Sequence, residues 1–130
     1  NLHISLNGGI NSLKAANELL SDGIDGVMIG RSAYQQPSQI LAGVDQVIFE
    51  KEGSPSQFDI AVDMRQYLEE HLRNGGKPHQ VTRHMTGLFH GFPGSKIWKQ
   101  ILSKGSNSSY IDFYDEALLA VSNSIKHIAA

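Results

Sequence analysis

SLNGGINSLKAANELL, residues 5–20, decides the fold, because a short apolar run ends in Asn7-Gly8-Gly9 and passes almost at once into a helix. Residues 2–6 (LHISL) alternate and read as a strand. Ser12 is placed to cap a helix running to about Leu20, with Leu13, Ala16, Leu19 and Leu20 on one face. Ser21-Asp22-Gly23 closes it. The next run, GVMIG (residues 26–30), is short and wholly apolar, as suits a parallel strand buried on both faces. Strand, helix and strand in that order make a βαβ unit and imply a parallel sheet. Two strands do not make a stable sheet by themselves. The expectation is therefore that these residues complete a larger sheet, and that a chain opening at Asn1 almost directly into a strand has been cut from something longer. Until covered, the edges of residues 1–35 would tend to associate.

Beyond Gly30 the pattern turns helical. Pro37 opens a helix whose apolar stripe is Ile40, Leu41, Val44, Val47 and Ile48. EKEGSPS (residues 50–56) reads as a linker. Helices are expected over about 57–74, ending at Gly75-Gly76, then over 78–90, 95–103 and 110–127. The organisation is an α/β part at 1–49, a linker at 50–56 and an all-α part at 57–130.

The glycines carry the first functional expectation. A strand ending in Asn-Gly-Gly, then one helix later a strand ending in Gly-Arg, fits the last two βα units of a (β/α)8 barrel. There the loops after the seventh and eighth strands commonly hold phosphate. Glycine lets backbone amides approach an oxyanion, and Arg31 can add a charge-assisted bond. Gly8, Gly9, Gly30 and Arg31 are the expected phosphate donors, with Asn7 facing the ligand's polar edge. Either motif alone is more simply a turn or a strand end. Their spacing on consecutive units favours phosphate, and flavin mononucleotide (FMN) or a sugar phosphate would satisfy it equally.

Composition narrows the class. The 130 residues are 40% apolar and 18% charged, a soluble globular balance, and no apolar run reaches the length of a membrane span. No leader-like run precedes the first strand, which points to the cytoplasm. There is no cysteine, so disulfides, thiolate metal sites and a cysteine nucleophile are excluded within these residues. The net charge of −2 is unevenly spread. Residues 71–111 hold Arg73, Lys77, Arg83, Lys96, Lys99 and Lys104 with four histidines and no carboxylate. On charge alone this is equally a nucleic-acid footprint or a solvated face balanced by acidic neighbours.

Within it lies PHQVTRHMTGLFHGFPGSKIWKQILSKG, residues 78–105. Read as a helix, Val81, Met85, Leu88 and Phe89 form a core face, with Arg83, Thr86, Gly87 and His90 opposite. Past Pro93-Gly94, Ile97, Trp98, Ile101 and Leu102 turn inward and Lys96, Lys99 and Lys104 outward. Arg83, Lys96 and Lys99 are the expected phosphate contacts. His79, His84 and His90 are spaced so that they do not stack on one face, and no metal site is expected. A basic helical surface beside such a barrel suggests a folded RNA recognised by shape and backbone.

LNGGI, DGVMIGRSAYQQP and above all TRHMTGLFHGFPGSKIWKQIL closely resemble the C-terminal part of bacterial tRNA-dihydrouridine synthases of subfamily A. The resemblance runs from about Leu2 to Leu102, and residues 103–130 match only as a closing helix. It implies an FMN-binding (β/α)8 barrel followed by a helical tRNA-binding domain. It implies NADPH- and FMN-dependent reduction of a D-loop uridine, at positions 20 and 20a, to 5,6-dihydrouridine. In such enzymes the flavin passes hydride to C6, a cysteine protonates C5, and the base is turned out of the tRNA. Carried over, the FMN contacts fall on Asn7, Gly8, Gly9, Gly30 and Arg31. The tRNA-contacting helix falls on Val81–Gly91, with Arg83 foremost and Thr86, His90, Lys96 and Lys99 beside it. The family's catalytic cysteine, lysine and histidine belong to the first six strands, so no catalytic residue is expected here and the chain alone should be inactive. The expected partners are tRNA and the missing N-terminal barrel portion, not DNA or a membrane. Two alternatives stay open: another FMN-barrel oxidoreductase acting on a small molecule, and a non-catalytic helical RNA-binding module. A third possibility is that the basic stretch serves only as a docking surface.

Overall fold

The computed structural model describes residues 2–129, and the chain divides into two compact units, one running to Pro55 and one starting at Ser56. In the first unit β1 (Ser5–Asn7), α1 (Leu13–Ser21) and β2 (Gly26–Met28) form a βαβ element. The strands pair in parallel, Ser5 with Gly26, Leu6 with Val27 and Asn7 with Met28. The ladder begins later than the alternation at residues 2–6 suggests. At Ile4 its amide donates instead to Asp25 Oδ2 at 2.8 Å, while the Asp25 amide donates to the Ile4 carbonyl at 3.0 Å. Ser12 Oγ accepts from the Ala15 amide at 3.2 Å and starts α1. Gly23, at φ 96°, ends it. The amides of Gly23 and Ile24 donate back to Leu20 and Leu19 in a Schellman closure.

Residues 26–30 are not the doubly buried strand their composition suggests. Val27 is half-buried and Met28 is 52% exposed, because the described sheet has only two strands. The single helix expected from Pro37 to Ile48 is also broken. It becomes α3 (Pro37–Ile40) and α4 (Val44–Val47), preceded by a short α2 (Arg31–Gln35) that the sequence did not announce. Ser54 Oγ donates to the Ala42 carbonyl at 2.6 Å, taking an acceptor that a continuous helix would use itself. Gly43 passes so close to α1 that a Cβ there would meet Leu13 Cδ1 at 2.9 Å.

The second unit comprises α5 (Gln57–Arg73), α6 (Pro78–Thr82), α7 (Ser95–Lys104), a 3₁₀ turn at Gly105–Asn107 and α8 (Asp112–Ala129). A capping box starts α5: the Asp59 amide donates to Ser56 Oγ at 3.1 Å and the Ser56 amide to Asp59 Oδ2 at 3.3 Å. The core gathers Ala61 and Leu68 of α5, Val81, Met85, Leu88 and Phe89, then Trp98, Ile101 and Leu102 of α7, and Tyr114, Ala117 and Val121 of α8. Trp98 sits at its centre, edge-on to Phe89 at 4.9 Å and to Tyr114 at 5.5 Å between ring centroids. Gly94 lets α7 start against α8; a Cβ there would lie 3.2 Å from Val121 Cα.

The helix expected over residues 78–90 stops at Thr82, and residues 83–94 continue as successive tight turns. The amides of His84, Met85, Leu88 and His90 each donate three residues back. The Met85 carbonyl, which an α-helix would offer to the Phe89 amide, accepts from Leu88 and from Trp98 Nε1 at 2.9 Å. A buried indole N–H must find an acceptor. Here it takes a backbone carbonyl within the turns that follow the helix.

Candidate cofactor cleft and basic surface

Where β1 and β2 end, the chain leaves a cleft of about 440 Å³ in the first unit. Asn7, Gly8, Gly9, Gly30 and Arg31, the residues expected to bind cofactor, all line it. Ile10, Asn11, Met28, Ser32 and Gln35 complete the lining. The last two went unnoticed in the sequence because they belong to α2. Asn11 lies inside the opening stretch and could have been read as a second polar neighbour of the glycines.

Gly8 at φ 109° and Gly9 at φ 71° hold a backbone path that side-chain-bearing residues rarely take. A Cβ at either would meet nothing within 4 Å, so the space above them is open. No carboxylate lines the cleft, and among the described residues Arg31 makes no ion pair. Open backbone, a single uncompensated guanidinium and neutral polar side chains suit a phosphate monoester.

The residues expected to contact tRNA are arranged differently from a single helical face. Arg83 and His90 are exposed and Thr86 is half-buried, and they stand on consecutive turns. Arg83 Nε donates to His84 Nε2 at 2.9 Å, and Thr86 Oγ1 donates to the Arg83 carbonyl at 3.3 Å. Lys96 and Lys99 are exposed on α7, on the side away from Trp98, Ile101 and Leu102. The core thus fixes the backbone from which Arg83 projects, through Met85 and Trp98. Among the described residues no three His, Asp or Glu side chains gather as a metal site would require, and no helix is long and apolar enough to cross a membrane.

The shifted titrations belong to a clasp between α5 and α8. Arg65 Nε donates to Asp115 Oδ1 at 2.6 Å and Nη2 to Oδ2 at 2.8 Å, while Nη1 reaches Glu69 at 3.1 Å. Hydrogen bonding to Arg65 holds the Asp115 carboxyl below its ordinary value. Burial, with Asp115 beside it, pushes the Tyr114 phenol up; its OH donates to the Ala61 carbonyl at 2.7 Å. This is a structural arrangement rather than a reactive one. Arg65 and Asp115 lie 50 residues apart, so no local signal in the sequence announces the pair.

A βαβ unit with a carboxylate-free glycine and arginine cleft, followed by a helical unit with a basic, acid-free segment, defines an α/β protein with a helical extension. A family model described as dihydrouridine synthase matches residues 1–125, and the chain belongs to that family. It is 48% identical over 103 residues to a tRNA-dihydrouridine(20/20a) synthase of Pseudomonas aeruginosa, covering 78% of this chain and 30% of that protein. A protein of the same name from Shewanella oneidensis is 43% identical over 109 residues, covering 83% of this chain and 32% of its own length. One from Vibrio vulnificus is 41% identical over 126 residues, covering 92% and 37%. The chain spans about a third of the length of these curated relatives.

Proposed function

We propose that this chain acts as the C-terminal part of a tRNA-dihydrouridine synthase, an FMN-dependent oxidoreductase that uses NADPH to reduce D-loop uridine at positions 20 and 20a to 5,6-dihydrouridine in the cytoplasm. β1 and β2 are then the last two strands of a (β/α)8 barrel, and residues 57–130 form the tRNA-binding domain. The observation that carries this is the cleft at the strand ends, where Asn7, Gly8, Gly9, Gly30 and Arg31 converge without a carboxylate.

The amides of Gly8, Gly9, Gly30 and Arg31 and the Arg31 guanidinium hold the FMN phosphate, and Asn7 meets a polar edge of the cofactor. Bound FMN supplies hydride transfer. Arg83, Lys96 and Lys99 take tRNA phosphates, with Thr86 and His90 as neutral neighbours, and so orient the RNA without reading its bases. No cysteine is present to protonate the uracil, so that proton comes from residues outside this chain.

The test is turnover. The intact gene product, with NADPH and unmodified tRNA, is expected to convert D-loop uridine to dihydrouridine, read by nucleoside mass spectrometry. The chain of residues 1–130 alone is expected to yield none. No dihydrouridine from a folded, flavin-loaded gene product would overturn the assignment.

A further inference from the structure

The helical unit has a second polar cleft that none of the residues above uses. It measures about 480 Å³ and is walled by Gly75, Gly76 and Lys77 of the α5–α6 turn on one side and Asn107, Ser108 and Ser109 on the other. We propose that this cleft is a further RNA-backbone site, holding a phosphodiester of the tRNA through Lys77, with Asn107 and Ser109 as neutral donors. It rests on the tRNA-binding role given above.

Charge complementarity selects the occupant. Every lining residue comes from the stretch 71–111, which holds six cations and no carboxylate, so Lys77 is uncompensated at the cleft. Among the described residues Lys77 makes no ion pair, and the side chains of Asn107 and Ser109 make no hydrogen bond to protein. The one wall residue whose side chain is engaged is Ser108. Its Oγ donates to the Tyr110 carbonyl at 3.0 Å and accepts from the Tyr110 amide at 3.2 Å, which fixes the wall.

The opposite wall is equally set. The Gly75 and Gly76 amides donate to the Leu72 and His71 carbonyls at 3.0 and 2.9 Å. The Lys77 amide donates to Gln80 Oε1 at 2.8 Å. At Gly75 a Cβ would meet nothing within 4 Å, so a sugar–phosphate backbone can approach closely there, while the His71 ring covers Gly76. Leu72 and Pro78 also line the cleft, but mostly polar walls, one cation and open backbone at Gly75 suit a phosphodiester better than an apolar ligand. By contrast, the groove at Phe58, Phe89, Phe92 and Ile125 is apolar and has no such indication of what fills it.

The intact gene product is titrated with unmodified tRNA across a salt series. Lys77→Ala is expected to weaken binding several-fold and to make the slope of log affinity against log salt shallower by about 0.7 to 0.9, the share of one phosphate contact. Lys77→Arg is expected to restore both. Asn107→Ala with Ser109→Ala should weaken binding a few-fold at unchanged slope. Parental affinity and slope in Lys77→Ala, alongside weakened binding by Arg83→Ala, would overturn the cleft and leave tRNA binding standing. Weakening that follows a lowered melting temperature and is not restored by Lys77→Arg would also overturn it. Absence of binding by the parent would remove both this site and the tRNA role.

Discussion

The two units of this chain are held together by different forces. In the unit from Ser56, twelve buried side chains form one cluster around Trp98 and Tyr114, both fully buried. In the unit ending at Pro55, the fully buried apolar side chains among the described residues are Ala16 and Ile40. Leu2 is 88% exposed there, and Ile4, Met28, Leu41 and Phe49 are each more than half exposed. Its βαβ element relies on local devices: the Ser12 cap, the Gly23 closure and a three-residue parallel ladder. Such devices specify conformation and contribute only about 1 kcal/mol each, whereas a buried large apolar side chain contributes about 1.5 to 3 kcal/mol. The helical unit carries a core of its own. The first unit leaves many of its large apolar side chains exposed.

The sharpest way to break that contrast is Trp98→Ala. It removes the central ring and frees the Met85 carbonyl, so the helical unit should lose about 3 to 5 kcal/mol of stability in urea unfolding. A loss below about 1 kcal/mol would mean that the core is not organised around Trp98.

A smaller effect sharpens the comparison at the α5–α8 clasp. The folded-state pKa of Asp115 is depressed, so its contribution is full above the ordinary carboxylate value and is lost as pH falls through the folded value. Asp115→Asn should therefore cost about 1 kcal/mol at neutral pH, a modest figure because both partners are partly solvated. The difference from the parent should close as pH falls below about 4. Urea unfolding at neutral and acid pH measures it, and a gap that widens on acidification would contradict the clasp.

Much of this architecture is legible in the sequence wherever the determining signal is local. The parallel βαβ order follows from Ser12, the glycines and the two apolar runs. The core positions Val81, Met85, Leu88, Phe89, Ile97, Trp98 and Ile101 follow from spacing, and the structure buries all of them but Ile97, which is half-buried against the core. What the sequence hides is set at a distance. The α-helix after Pro78 stops at Thr82, and past it an indole thirteen residues on takes the Met85 carbonyl that a continuing α-helix would offer to Phe89. The helix after Pro37 breaks where Ser54 takes the Ala42 carbonyl, twelve residues away. The candidate site divides in the same way. Glycines and an arginine at strand ends can be read directly, whereas Ser32 and Gln35 enter the cleft on a short helix with no periodic signal.

The central claim is that the strand-end cleft holds the phosphate of FMN through Arg31 and the glycine amides. It is tested most directly by titrating the deflavinated intact gene product with FMN and with riboflavin, before and after Arg31→Ala. The account predicts that FMN binds at least tenfold more tightly than riboflavin and that Arg31→Ala removes most of that margin, as loss of a charge-assisted hydrogen bond of about 1.5 to 3 kcal/mol requires. Equal affinity for the two flavins, or a margin unchanged by the substitution, would contradict it.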